Sequence, residues 1–313
     1  MRDDARVAES LVIAVVGATA TGKSDLAVDL ALAIGGEVVN ADSMQLYAGM
    51  DVGTAKLTVE ERRGVPHHVL DVWDVRRTAS VAEYQVLART AIDDVVDRGR
   101  TTVLVGGSGL YVRAVLDPID FPGTDAQARA ALEAELESLG PTALHERLAA
   151  LDPAAAAAIQ PANGRRIVRA LEVVSMRGSF TATLPVYEYV RPTLQVGMAV
   201  DRATLDRRID ERVDRMWASG LVAEVEALAG RGLREGRTAS RALGYAQVLA
   251  QLSGELTAPE ARAATALATR RFARKQDSWF RRDPRVVWIE SGAGALDSAV
   301  AQVRSVAPGA VAG

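Results

Sequence analysis

Residues 11–16 (LVIAVV) form an unbroken apolar, β-branched run, the pattern of a strand buried on both faces of a parallel sheet. After a glycine-rich turn, Ser24 to Ile34 places Leu26, Leu30 and Ile34 on one helical face, and Gly35-Gly36 supplies the stop. Residues 37–41 (EVVNA) predict a short second strand. The spacing of Tyr84, Leu87/Ala88, Ala91 and Val95 predicts a helix over 81–96. Residues 101–105 (TTVLV) read as another buried strand ending in Gly106-Gly107, and a further helix starts over 110–116. Alternation of this kind predicts a parallel sheet covered by helices on both faces.

The alternation stops near Pro122-Gly123, and residues 124–178 read as helices only. Thr124 and Gln127 have the spacing of a capping box. Asp152-Pro153 predicts an N-cap followed by proline at the first helical position. Asn163 caps a helix with Ile167, Leu171 and Val174 on its apolar face, stopped by Gly178. This helical insertion is expected to run to about Arg191-Pro192. Sheet character returns over 194–200, and Leu205, Ile209, Val213 and Met216 then mark an amphipathic helix. Helices continue to about Arg282, residues 286–289 (VVWI) predict a last strand, and the tail is expected to be loose from Ala307. The expected division is 1–122, 123–192 and 193–313.

With 313 residues, 49% of them hydrophobic and 25% charged, the chain can bury a large core and is not disordered throughout. No apolar run reaches the ~18 residues of a membrane span. Cysteine is absent, which excludes disulfides, thiolate metal sites and a cysteine nucleophile. The run Leu11 to Ala20 is short and apolar enough to mimic a secretory leader, but Asp3, Asp4 and Glu9 precede it where a leader has basic residues. The expected compartment is the cytoplasm. The net charge of −3 divides into −7 over residues 1–200 and +4 over 201–313, with +6 between Arg262 and Arg285 alone. A modestly acidic protein with one basic face can still bind a polyanion.

Residues 17–24 (GATATGKS) match G-x-x-x-x-G-K-[ST], between a buried strand and a helix as that motif requires. Its glycines let backbone amides wrap a phosphate, Lys23 neutralises phosphate oxygens, and Ser24 offers a hydroxyl to Mg²⁺. Asp42-Ser43-Met44-Gln45 follows the second strand and so belongs to the crevice at the carboxyl ends of the strands. By position, Asp42 is a general base, an Mg²⁺ ligand or simply an N-cap. The strand over 101–105 ends in Gly106-Gly107-Ser108 rather than in the acid that holds a metal in nucleotide hydrolases, and His68-Val69-Leu70-Asp71 is a poor substitute. That combination suggests diphosphate as a leaving group. Arg241 suits such an anion, or is a surface arginine at a helix start. His67 and His68 read as structural and His145 as solvent-facing. Residues 270–282 place Arg270/Arg274 and Arg271/Lys275 at helical spacing beside aromatics, which suits contact with a phosphate backbone or a solvated face.

Together these residues resemble the bacterial tRNA dimethylallyltransferases, also called tRNA isopentenyltransferases. The similar pieces are 17–24, ADSMQLYAGMDVGTAK (41–56), VPHHVLDV (65–72), LVGGSGLYVRAV (104–115), NGRRIVRALEV (163–173), the DR..L..RI..RV helix with GLVAEV (201–225), RALGYAQVL (241–249) and TRRFARKQDSWFRRD (269–283). The resemblance implies an α/β fold: a P-loop NTPase-like parallel sheet core with an inserted all-helical subdomain that grips the tRNA anticodon stem-loop. It implies transfer of a dimethylallyl group from dimethylallyl diphosphate to N6 of adenine 37, just 3′ of the anticodon, in tRNAs reading codons that begin with U. N6-dimethylallyladenosine and diphosphate would be the products. Mg²⁺ is required, Ser24 is its one assignable ligand, and no membrane takes part. A monomer is expected.

Carried over by motif, Asp42 resembles the base that takes the N6 proton, and Arg241 the residue that steadies the departing diphosphate. Gly17, Thr19, Ala20, Thr21, Gly22, Lys23 and Ser24 resemble the diphosphate loop. Asp42, Ser43, Met44, Gln45, Ser108, Asn163, Gly164, Arg165, Arg166, Arg241, Gly244, Gln247, Arg274 and Lys275 resemble tRNA contacts, with Arg129 a weaker candidate. The family loop commonly reads GPTASGK[ST], so Ala18 and Thr21 depart from it, as does Ser108 from the usual threonine and Gly164 from an aspartate.

Three other readings compete: a small-molecule kinase, an isopentenyltransferase acting on free adenine nucleotides, and a non-enzymatic RNA-binding protein. The kinase has no use for the basic C-terminal helix, the insertion favours tRNA over a free nucleotide, and the third reading leaves Asp42 and Arg241 without a role.

Overall fold

The computed structural model describes residues 11–181, 184 and 187–308. Asp3, Asp4 and Glu9 lie outside the described residues, as do 309–313 of the expected loose tail. Ala307 itself is buried, because it ends the last helix against the core. The chain divides into two compact units, Met1–Asp117 with Tyr189–Gly313, and Pro118–Glu188. The first boundary thus precedes the expected Gly123, since the buried Asp117 carboxylate is ion-paired to Arg113 and Arg285 of the sheet unit. Tyr189 opens the return, its hydroxyl accepting from Gln195 Nε2 and the Arg285 guanidinium lying over its ring.

In the first unit the strands are β1 (Val12–Val16), β2 (Glu37–Asn40), β3 (His67–His68), β4 (Thr102–Gly106), β5 (Thr193–Ala199) and β6 (Val286–Glu290). They pair in the order β3-β2-β4-β1-β5-β6, every pair parallel. Val12 lies opposite Thr102 on one side and Thr193 on the other, so β1 is central. The chain first builds one side of β1 and only then the other, which makes the end of β1 the switch point where open α/β sheets bind ligands. The unbroken apolar run has its reason here: Val12, Ala14 and Val16 join the core on one face while Ile13 and Val15 join the core on the other.

Helices α1 (Lys23–Ile34), α2 (Val81–Asp97) and α3 (Gly109–Leu116) interleave with the strands, and α4 (Ala126–Leu151), α5 (Pro153–Ala157) and α6 (Gly164–Arg177) form the second unit. The chain returns with α7 (Arg202–Ala218), α8 (Leu221–Ala229), α9 (Tyr245–Leu252), α10 (Ala258–Phe280) and α11 (Ala295–Val306). Leu205, Ile209, Val213 and Met216 of α7 are buried as their spacing predicts. In α2 the buried stripe is Tyr84, Ala88, Ile92 and Val95; Leu87 points outward, while Ala91 is half-buried and packs against the same core. Among the described residues no helix is long and apolar enough to cross a membrane.

The second unit has its own core of Leu132, Leu144, Leu148, Ile159, Ile167 and Leu171. Its first helix is capped by Asp125, whose carboxylate accepts from the amides of Gln127 and Ala128, both at 3.0 Å, and not by Thr124. A carboxylate one residue nearer the first turn outcompetes the hydroxyl for the open amides. That helix breaks at Gly140, where φ is 79° before Pro141. Asp152 and Asn163 cap α5 and α6 as their spacing predicts, and Gly178 ends α6.

Candidate functional site: a phosphate loop beside a carboxylate crevice

The loop after β1 turns on Gly17 (φ 140°), Ala20 (φ 64°) and Gly22 (φ 91°), and Gly22 stands at the N-terminus of α1. The Thr21 hydroxyl donates to the Ala18 carbonyl at 2.9 Å, closing the loop on itself. Lys23 Nζ donates to the same carbonyl at 2.6 Å. Burial and the neighbouring Arg212 guanidinium lower the Lys23 pKa to about 8, against the pull of the Asp42 carboxylate. A helix N-terminus and two cations, Lys23 and Arg212, thus meet at one loop, a setting that favours an anion.

Asp42 is held from beneath. The buried Asn40 side chain donates to the Asp42 and Val69 carbonyls at 3.0 and 3.1 Å and accepts from the Asp42 amide at 2.9 Å. The Tyr84 hydroxyl fixes the Asn40 carbonyl in turn. One carboxylate oxygen of Asp42 accepts from the Met44 amide at 2.9 Å, so the turn-forming reading and the crevice reading of this residue both hold. The Ser43 amide donates to Ser108 Oγ at 3.3 Å, and Gln45 Nε2 donates to the Thr54 carbonyl at 3.3 Å. Ser108 therefore touches the turn that carries Asp42.

The glycine pair after β4 also has a packing reason. A Cβ at Gly106 would run into the Ala41 carbonyl at the end of the neighbouring strand β2, and one at Gly107 into the Gln276 side chain of α10. Asp71, the substitute metal ligand, is ion-paired to the buried Lys56. His68 pairs with Glu37 at 2.6 Å and His67 Nδ1 lies 2.8 Å from the Val65 carbonyl, the structural roles expected of them. His145 is half-buried and not solvent-facing, with Nε2 at 3.0 Å from the Ala156 and Ile159 carbonyls, because α4 packs that face onto α5.

A cavity of about 560 Å³ gathers most of the predicted residues of the first unit. Thr19, Lys23 and Ser24 line it from the loop, Asp42 to Gln45 and Ser108 from the ends of β2 and β4, and Arg241 and Lys275 from the C-terminal half. A second cavity of about 980 Å³ lies against the loop through Ala20, Thr21 and Gly22 and shares Lys23, Ser24 and Arg212 with the first. Gly244, Gln247 and Arg274 do not line either cavity. Gln247 accepts from the Gly244 amide at 2.9 Å and so caps α9, while Arg274 is exposed on α10.

Asn163, Gly164, Arg165, Arg166 and Arg129 belong to the second unit. Asn163 caps α6, and Arg165 and Arg166 are exposed in its first turn. Gly164 packs on Leu136, whose side chain a Cβ would approach to 2.8 Å, which explains a glycine there. Arg129 is ion-paired to the fully buried carboxylate of Glu172, a role in its own unit's packing.

Four residues escaped the reading of the sequence. Arg212 of α7 donates to the Thr54 carbonyl at 3.1 Å and stands beside Lys23 and Asp42. Asn40 holds the Asp42 turn. Glu224 accepts from the amides of Asp51, Val52 and Gly53 at 3.0, 2.7 and 3.2 Å and from the Tyr245 hydroxyl at 2.5 Å, tying the 51–54 loop to the RALGY segment. Gln276 bridges two loops of the crevice. Arg212, Glu224 and Gln276 lie inside motifs that drew attention, but a motif does not say which partner a side chain meets.

Fold and crevice together define an α/β protein with a phosphate loop at the end of its central strand and one carboxylate set among cations. The family model described as IPP transferase matches residues 45–283. The tRNA dimethylallyltransferase of Streptomyces coelicolor is 67% identical over 282 residues, covering 90% of each chain. That of Salinispora tropica is 62% identical over 307 residues, covering 97% of this chain and 96% of its own. Among solved structures, the full-length tRNA isopentenylpyrophosphate transferase of Bacillus halodurans is 39% identical with a TM-score of 0.71, over 96% of both chains. The chain belongs to the IPP transferase family, as its motifs had suggested.

Proposed function

We propose that this chain transfers a dimethylallyl group from dimethylallyl diphosphate to N6 of adenine 37 in tRNAs reading codons that begin with U, in the cytoplasm. The observation that carries the reading is the shared cavity: a phosphate loop with Lys23 and a lone carboxylate, Asp42, line one space with Arg241. The names of the relatives supply the substrate class. In the step itself the C1–O bond of the donor breaks and its electron pair leaves with diphosphate. The N6 lone pair forms the new C–N bond, and the N6 proton passes to Asp42.

Each residue has a part set by charge. Adenine N6 is a poor nucleophile because its lone pair is delocalised, so a base and a well-held leaving group share the work. Lys23, Arg212 and the loop amides hold diphosphate, and Arg241 meets charge that grows as it departs. Among the described residues no group of three His, Asp or Glu side chains forms a metal cage. Magnesium carried by a diphosphate needs only one or two protein ligands, and the Ser24 hydroxyl on the cavity wall fits that demand. Bound there, Mg²⁺ would offset leaving-group charge.

The test is incubation of the purified chain with radiolabelled dimethylallyl diphosphate, Mg²⁺ and either unmodified tRNA or AMP. Label at the adenine 3′ of the anticodon is expected. Label in AMP alone would instead make it a free-nucleotide enzyme, and ATP binding with no label in either would favour a kinase.

The Lys23 environment adds a pH dependence. With a pKa of about 8 in the free enzyme, Lys23 is charged at pH 7 and mostly neutral at pH 9. A bound anion favours the charged form, so binding above pH 8 takes up a proton. Affinity for magnesium diphosphate is therefore expected to be roughly tenfold weaker at pH 9 than at pH 7. Titration calorimetry measures this, and Lys23→Met should flatten the dependence. Equal affinities at the two pH values in the unmodified chain would contradict the placement of Lys23 against the anion.

A further inference from the structure

We propose that Gln276 is a positioning residue that holds the donor loop and the acceptor loop in register for the transfer. The assignment rests on the prenyl-transfer reading above. Gln276 lies on α10, far along the chain from both loops, and its carboxamide is buried. Its Oε1 accepts from the Thr19 amide in the phosphate loop at 2.9 Å. Its Nε2 donates to the Gly107 carbonyl at 2.8 Å. The hydroxyl of the next residue, Ser108, accepts from the Ser43 amide at 3.3 Å and lies 3.2 Å from the Ser43 hydroxyl, beside Asp42. One side chain therefore joins the loop that holds the leaving group to the loop against which the base is set.

The chemistry of the two ends admits little else. An amide N–H needs an acceptor and a carbonyl needs a donor, and a neutral carboxamide of this length supplies both at once. Glutamate would keep the Thr19 contact and set a carboxylate oxygen against the Gly107 carbonyl. Methionine has the reach and makes neither bond. Gly107 fits the same device, because a Cβ there would collide with the Gln276 amide.

Transfer requires the donor C1 and the acceptor N6 to meet within a few tenths of an ångström of the reactive geometry, whereas each substrate is held mainly by its own loop. Uncoupling the loops should then lower the rate more than it weakens either substrate. The experiment is steady-state kinetics of Gln276→Met and Gln276→Glu with dimethylallyl diphosphate and tRNA, beside thermal unfolding. For Gln276→Met, kcat is expected to fall roughly 10- to 100-fold while each KM stays within about threefold. Gln276→Glu should lose more.

Unchanged kcat with only a lowered melting temperature would overturn the assignment. So would a raised donor KM with kcat kept, which would make Gln276 a prop for the phosphate loop alone. Gly107→Ala, whose methyl would press chiefly on the Gln276 amide and less closely on the Gly17 carbonyl, should reproduce the same kcat loss and keeps the test open if Gln276→Met does not fold. A wild-type chain that transfers nothing to tRNA would overturn the functional reading, and this assignment with it. A wild-type chain that transfers normally, matched by both variants, would overturn the Gln276 assignment alone.

Discussion

Asp42→Asn is expected to lower kcat for prenyl transfer by ~10²–10⁴-fold, the usual contribution of a positioned base. Asparagine is the informative replacement because its side-chain oxygen can still accept from the Met44 amide, the bond that closes the turn at 2.9 Å. Alanine would also open that turn and mix a structural loss with a chemical one. The Asn40 clamp beneath the residue grips its backbone and is untouched by either change. Binding of tRNA should stay near normal, since a single neutralised carboxylate removes no arginine–phosphate contact. Losing one negative charge between Lys23 and Arg212 should, if anything, tighten diphosphate. Single-turnover transfer with labelled donor, alongside filter binding of tRNA, separates the two effects. A variant that has lost tRNA binding but transfers normally at saturation would refute Asp42 as the base.

The largest effect on stability is expected at Asp117, where Asp117→Ala should cost ~3–5 kcal/mol. Its carboxylate is fully buried and serves two guanidiniums, Arg113 of α3, whose C-terminus Asp117 caps, and Arg285 at 2.8 Å. Both arginines are nearly buried themselves, with side chains 8% and 13% exposed, so water cannot replace the lost charge. Arg285 keeps Asp283 at 2.7 Å, which limits the loss but does not remove it. The contrast is Arg207 with Glu211, 3.9 Å apart and more than half exposed, where a pair of this kind contributes ~0–1 kcal/mol. Thermal unfolding of Asp117→Ala should show a fall in melting temperature on the order of 10 °C. A fall no larger than that of Glu211→Ala would show that the buried network contributes little.

The local code of this chain was legible without coordinates. The double-faced run over 11–16, the amphipathic spacing from Leu205 to Met216, the caps at Asp152 and Asn163 and the phosphate loop all depend on residues within a few positions of one another. Periodicity and capping act over one or two turns, so a linear reading contains what they need. The same reading went astray where neighbours of equal chemistry compete, as Asp125 did with Thr124, or where partners come from another helix, as with His145. The crevice was half legible. Its loop and Asp42 are motif residues, whereas Arg212, Asn40, Glu224 and Gln276 earn their roles from contacts that no spacing encodes. Gln276 meets Thr19 across 257 positions of sequence and Gly107 across 169. Such pairings exist only because the sheet order β3-β2-β4-β1-β5-β6 carries the ends of β1 and β4 side by side beneath the last long helix. What the sequence by itself determined is therefore the set of elements and the chemical groups available at their ends. Which of those groups face one another was decided by tertiary packing, because a hydrogen bond needs two partners in place and their meeting depends on topology rather than on spacing along the chain.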